Sequence, residues 1–368
     1  MQEALPALPD PRRYAAAPTH PLHALAQTLL GERDLGRMVA AEAALDAELD
    51  RLLAGDLDAE LAAAQANAPS AAVQALLIER LRIRVARPAA GAARHAVLFA
   101  LPIVLVAGVR GQHTLPARLP DVGAVKQLLV EHGVFAPGAD VHLSAQLIDR
   151  EQLLAIPASR LARWRDTLQY AGRLPHDFEE RPIEVNGDGV FLRYLVGTAM
   201  QDGEAQPAVR LNAPPAQWAM ALTKLLGEQL KHDALTLFPL PRAPQAWLAA
   251  LDDGRVAQQE IRFQVFASNT LRQLRERGET PVAVLSSHEG GELRVTLGAE
   301  RNGEEWAGFI WPLGPLDRVE VLQQMMVGLL RECHHDAFRV LEEVLPAIKD
   351  DLPYFPLPSE LPARPALH

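Results

Sequence analysis

The densest group of residues able to do chemistry is Glu332-Cys333-His334-His335-Asp336. Read as a helix, at about 100° per residue, Cys333 and His334 point apart, so thiol and imidazole form no nucleophile–base pair. Glu332, His335 and Asp336 share a face, and Glu-x-x-His is the ligand spacing of di-iron helical sites. Such sites need a second pair of the same kind, and the chain has none. The segment therefore reads as a solvated or salt-bridged helix face beside Arg331 and Arg339, with Cys333 on an apolar stripe.

Other groupings fail on spacing. His288-Glu289-Gly290-Gly291-Glu292 lacks the second histidine of His-Glu-x-x-His and sits in a turn. His-Asp dipeptides recur at 176–177, 232–233 and 335–336 without the further ligands a metal phosphohydrolase requires. Ser286-Ser287 next to His288 is the nearest serine–histidine cluster, but adjacency does not establish the geometry of a catalytic pair. The chain has no phosphate-binding loop, no dinucleotide fingerprint and no Gly-x-Ser-x-Gly elbow. We expect no catalytic residue, no cofactor and no metal.

One charged feature stands out. Glu79-Arg80-Leu81-Arg82-Ile83-Arg84-Val85-Ala86-Arg87 alternates so that a strand puts Arg80, Arg82 and Arg84 on one face, and a helix groups Arg80, Arg84 and Arg87. Either form lays a basic stripe on a chain of net charge −10. Three readings follow: pairing with the protein's own carboxylates, docking of an acidic partner, or contact with nucleic acid. The overall negative charge argues against non-specific nucleic-acid binding. As partner-binding residues the sequence offers Arg80, Arg82, Arg84 and Arg87, together with Tyr354 and Phe355 of the carboxy-terminal tail.

These residues belong to a chain of 368 residues, 49% hydrophobic, 22% charged and 5% aromatic. The length points to two or three domains, and the apolar content excludes wholesale disorder. Four of the 36 basic residues are lysines, the bias of a GC-rich and so bacterial coding genome. A single cysteine, Cys333, allows no intramolecular disulfide, which fits a reducing compartment. Residues 1–13 lack the basic and apolar regions of a secretory signal. The longest apolar run, 96–109, has Pro102 at its middle and falls short of the about 20 residues of a membrane helix. We expect a cytoplasmic protein with no membrane span.

The elements fall into five regions: a proline-rich tail over 1–22, a helical layer over 23–90, a mixed α/β domain over 91–258, an α+β domain over 259–350, and a proline-rich tail over 351–368. In the helical layer Leu35, Met38, Val39, Leu45, Leu49, Leu52 and Leu53 make one apolar stripe, broken by Glu42. Asn67-Ala68-Pro69-Ser70 supplies a break and a cap before a further helix. In the mixed domain 96–106 reads as a buried strand or strand pair, and 181–200 as a hairpin turning at Asn186-Gly187. In the last domain Ile261–Ala267 alternates as a strand, Ser268-Asn269 caps a helix that Gly278 ends, and strands follow at 281–286, 292–297 and 306–311, with a turn at Asn302-Gly303. A long amphipathic helix begins at Asp317. The fold class is α/β to α+β, multi-domain, with a helical front, a mixed-sheet middle and a β-α-β-β-β-α end.

The functional expectation is a non-enzymatic cytoplasmic component or adaptor of a larger bacterial assembly, with protein partners. Two alternatives stand beside it. One is a hydrolase whose histidine and carboxylate site assembles from distant residues; the other is a nucleic-acid-binding protein using the arginine stripe.

Overall fold

The apolar run at 96–109 is one strand of a sheet rather than a strand pair. The structure is a computed structural model describing residues 20–88, 94–109, 111–168, 174, 178–202, 206–299 and 307–347. The expected tail features, the His176-Asp177 dipeptide and the Asn302-Gly303 turn lie outside these residues, apart from residues 20–22. The chain divides into two units: the described residues up to Arg87 with 157–163 make the first, and the remainder the second. The whole is mixed α/β, with a helical amino-terminal region and a carboxy-terminal sheet.

Unit one is built from α1 (Pro21–Gly31), α2 (Leu35–Ala54), α3 (Asp58–Ala66) and α4 (Ala71–Ala86). Pro21 opens α1 instead of lying in irregular chain, because a proline at the first helical position loses no bond. The Asp34 carboxylate caps α2, and the Ser70 hydroxyl accepts from the Val73 amide to cap α4. Leu45, Leu49, Leu52, Leu61, Leu77 and Leu81 form the interior. His23, 6% exposed, donates from Nε2 to the Ala64 carbonyl at 2.7 Å, so a buried imidazole is satisfied and pins α1 to α3.

The first sheet of unit two contains β1 (Arg94–Val109), β3 (Val141–Ile148), β5 (Gly189–Asp202), β6 (Leu235–Pro241) and the short β7 (Gln245–Ala246), in the order β3-β5-β1-β6 with β7 also on β1. A proline inside a central strand is tolerated only where its missing donor falls on a gap. Pro102 meets that condition. On one side it lies opposite Tyr194 of β5; on the other β6 ends opposite Ile103 and β7 begins opposite Ala100. Its carbonyl accepts from the Arg242 amide at 2.8 Å. That bond fixes the alternation of the β1–β6 ladder, so Pro239 and Pro241 occupy non-bonded positions and turn their donor-free nitrogens to the open edge.

The expected hairpin at 181–200 does not form. Gly187 supplies the turn at a φ of 77°, but β4 (Ile183–Asn186) pairs with β2 (Gln112–Leu115), while β1 and β3 take both edges of β5. The helices α5 (Val122–Glu131) and α8 (Ala219–Gln229) supply Val125, Leu129, Leu222 and Leu226 to the core over one face of this sheet. Two further helices follow β3: α6 (Arg150–Leu154), and α7 (Ala158–Thr167), whose residues up to Arg163 belong to unit one.

Ile261–Ala267 is not a strand. It is the middle of α9 (Trp247–Glu276), thirty residues and about 45 Å long. Phe263, Ala267, Leu271 and Leu274 are buried at intervals of four, four and three, a helical face that the alternation of IRFQVFA concealed. Ser268-Asn269 is therefore helix interior, and Gly278, at a φ of 75°, follows the helix end as expected. The second sheet contains β8 (Pro281–His288), β9 (Glu292–Ala299), β10 (Ala307–Pro312) and β11 (Phe338–Leu345) in the order β10-β9-β8-β11. α10 (Val319–Glu332) carries the chain across, so β11 lies parallel to β8 as a fourth strand that the sequence did not suggest. The end is thus α-β-β-β-α-β. Among the described residues no helix is long and apolar enough to cross a membrane.

Gly197 marks the tightest approach in the first sheet. A Cβ there would lie 2.6 Å from the Phe99 ring and 2.7 Å from the His142 carbonyl oxygen, and the latter is backbone. Gly197→Ala should cost about 2–3 kcal/mol in urea unfolding, against under about 1 kcal/mol for Gly227→Ala, where the nearest atom is 3.9 Å away.

Candidate functional site

The arginine stripe is helical and faces α2. Arg80 donates from Nε to Asp46 Oδ1 at 2.9 Å, from Nη2 to Asp46 Oδ2 at 2.5 Å, and from Nη1 to Glu42. Arg84 forks onto Asp50 in the same way, at 2.9 and 2.5 Å, and approaches Asp46 at 3.7 Å. The Arg80 side chain is 12% exposed and that of Asp46 15%. Burial opposes the Arg80 charge, but the bonds and charge of Asp46, then of Glu42, more than offset it and hold the guanidinium protonated. Planar forks meet planar carboxylates here, the geometry lysine cannot reproduce. Arg82 is half-buried on the same helix and Arg87 is its exposed carboxy-terminal cap residue. Tyr354 and Phe355 lie outside the described residues.

The clamp sets where α2 is covered. Leu45, Leu49, Leu52 and Leu53 are buried, whereas Leu35 is 74% exposed, Val39 59% and Met38 36%. The stripe the sequence assigned to one interior is therefore half interior and half surface. Residues 35–40 are exposed on every side of the helix. Leu35, Met38 and Val39 stand at i, i+3 and i+4, one face of α2, and Leu30 at 49% exposure ends the neighbouring α1. Scattered apolar residues on a surface are ordinary; four large ones within ten residues of chain are a patch. Glu42, the polar interruption of the stripe, was the signal that could have located the boundary.

The second sheet supplies a different chemistry. Ser286 and His288 sit two apart on β8, hence on one face, with Ser286 Oγ 2.9 Å from His288 Nε2. The Pro346 carbonyl 3.1 Å from Nδ1 only accepts, so Nδ1 carries the proton and Nε2 accepts from the serine hydroxyl. The spacing that the sequence left without geometry thus gives the nucleophile–base arrangement. Arg294, opposite Ser286 on β9, is 2% exposed and bonds Glu292 at 2.6 Å. Ser286 is 1% exposed and His288 4%, so no substrate reaches them in this state.

The Glu332–Asp336 segment is not one helix face. α10 ends at Glu332, Cys333 is the cap residue and His334 takes a φ of 55°. The segment breaks because Arg275 fills the helix end, donating to the Cys333 and His334 carbonyls. Cys333 packs partly against the core of the second sheet, and Arg331 lies 3.8 Å from Asp336. Among the described residues no group of three or more histidine, cysteine or carboxylate side chains is placed to hold a metal. Comparison with family models, with curated proteins and with solved structures found no match for the chain.

Two outcomes follow. Asp46→Ala leaves a shielded guanidinium with Glu42 alone and should destabilise unit one by about 2 kcal/mol, whereas Glu48→Ala, which removes the surface pair with Arg51 at 2.7 Å, should cost under about 0.5 kcal/mol; urea unfolding compares them. Burial also holds the His335 imidazole below its ordinary value, with Arg275 adding and the Ala337 backbone and Asp336 opposing. A depressed folded value means that the unfolded chain takes the proton first. The stability is complete above the ordinary histidine range and lost as pH falls through it, and His335→Leu should flatten the fall between about pH 7 and pH 5.

Proposed function

We propose that the chain is a non-enzymatic cytoplasmic component or adaptor of a larger bacterial protein assembly, docking through the apolar face that opens α2. One observation carries this reading: Leu35, Met38 and Val39 hold large apolar side chains in water on a helix that further along buries Leu45, Leu49, Leu52 and Leu53. Covering them with a partner removes apolar surface at about 25 cal/mol per Å². Arg80 and Arg84 serve here as the clamp that presents the face, with Arg82 and Arg87 on the same helix. Tyr354 and Phe355 add a second apolar contact in this reading. With Arg80 and Arg84 already forked onto carboxylates, α4 offers little to an acidic partner or to nucleic acid.

The test is mild-salt purification of the tagged full chain from its native host beside Leu35→Glu/Val39→Glu. The wild type should bring down a defined partner set that the variant loses, with both equally folded by circular dichroism. Identical sets from the two, or none from the wild type, would contradict the docking face.

A hydrolase reading has the Ser286–His288–Pro346 arrangement in its favour and the burial of both side chains against it. A serine-directed fluorophosphonate separates the two. Under the docking reading the native protein stays unlabelled; labelling that disappears in Ser286→Ala would establish the hydrolase instead.

A further inference from the structure

We propose that Arg193 of β5 receives the carboxylate of a small molecule with an apolar body, an anion site in unit two that is independent of α2. The pattern around Arg193 asks for a different residue. β5 pairs with β1 without interruption, so Arg193 stands opposite Ile103 and shares a face with Phe191 and Leu195. Leu101, Ile103, Leu105 and Leu195 of that face belong to the apolar core, and Phe191 packs against it. Arg193 thus puts a charge where the alternation calls for an apolar side chain.

That charge is also uncompensated. Arg80, Arg84, Arg255 and Arg294 each meet a carboxylate at 2.5 Å, whereas Arg193 forms no ion pair among the described residues. Its Nη1 donates to the carbonyl of the neighbouring Leu192 at 3.0 Å, while Nε is buried without a partner and Nη2 makes no bond. Burial pulls the guanidinium below its ordinary value, and the charge of Asp149 opposes this without restoring it. Asp149 is already committed: its Oδ1 accepts from the Gln152 amide at 2.7 Å and its Oδ2 lies 3.3 Å from Arg181. A shielded guanidinium in this state costs stability, because no counter-charge offsets its desolvation. The side chain is only half-buried, so an anion from solution can reach it at Nη2. Charge balance then selects the class of anion. One guanidinium needs one negative charge, and a phosphate dianion beside Asp149 would bring an excess. Ile103, Phe191 and Leu195 on the same face favour an apolar body behind the carboxylate over a fully hydrated ion.

Isothermal titration of the full chain with benzoate, at an ionic strength held constant with chloride, should show one site per chain. Inorganic phosphate should bind at least about tenfold more weakly. Arg193→Met should abolish the benzoate heat. Arg193→Lys, which keeps the charge without the planar donor array, should weaken binding by at least about tenfold. Without benzoate, Arg193→Met should unfold at the same urea concentration as the wild type or a higher one, since it removes a charge that has no partner. A purely structural arginine would instead lower that midpoint when replaced. A wild type that binds no benzoate, binding that persists in Arg193→Met, phosphate bound more tightly than benzoate, or an Arg193→Met chain that unfolds earlier overturns the proposal. None of these outcomes bears on the proposed docking face of α2, whose residues take no part.

Discussion

Unit one depends on a guanidinium taken out of water. Arg80 reaches the interface of α2 and α4 because Asp46 accepts both arms of its fork and Glu42 a third bond. A charge so placed is stable only with partners in near-ideal geometry, so it fixes the register of one helix against the other. Once Arg80 meets Asp46 and Arg84 meets Asp50, Leu45, Leu49 and Leu52 turn inward with Leu77 and Leu81. The first two turns of α2 lie outside that arrangement. The clamp therefore pairs Arg80 and Arg84 of the basic stripe with carboxylates, while Leu35, Met38 and Val39 stay exposed.

Unit two solves a different problem, that of a proline in a central strand. Pro102 is accommodated because β6 stops and β7 starts beside it, and the Arg242 amide satisfies its carbonyl. The same phase puts Pro239 and Pro241 with their nitrogens to the edge, which denies that edge to another strand. α9 then spans both sheets: Trp247, Ala250, Leu251 and Gly254 are buried, with the Tyr194 hydroxyl donating to the Leu251 carbonyl, and Phe263, Ala267 and Leu271 sit in the core of the second sheet. At Gly254 a Cβ would stand 2.5 Å from the Tyr194 hydroxyl, which explains a glycine inside a helix that can ill afford one.

The class of the fold and most of its elements were legible in composition and periodicity; partner choice was not. Gly278, Ser70 and the strands at 281, 292 and 307 follow from local rules, since a cap or a turn needs only its neighbours. Ile261–Ala267 misled because a seven-residue window of alternating apolar side chains also fits a helix, and burial at 263, 267, 271 and 274 shows only over a longer span. The hairpin at 181–200 misled because Asn186-Gly187 specifies a turn, not the strand that fills the adjoining edge; β2, about seventy residues earlier, does that. On the site side, the arginine stripe was visible and its partners were among the readings kept open. The exposure of Leu35, Met38 and Val39 was hidden, because helical spacing says which residues share a face and not how far the covering helices extend.

The proposed docking face is most directly tested by a photo-crosslinking residue placed at Val39 in the otherwise native chain, compared with one at Met220, which is 81% exposed on unit two. The account predicts a discrete adduct from position 39, with a second copy of the chain or with another protein of the host, and none from position 220. No adduct from position 39, or the same adducts from both positions, would contradict it.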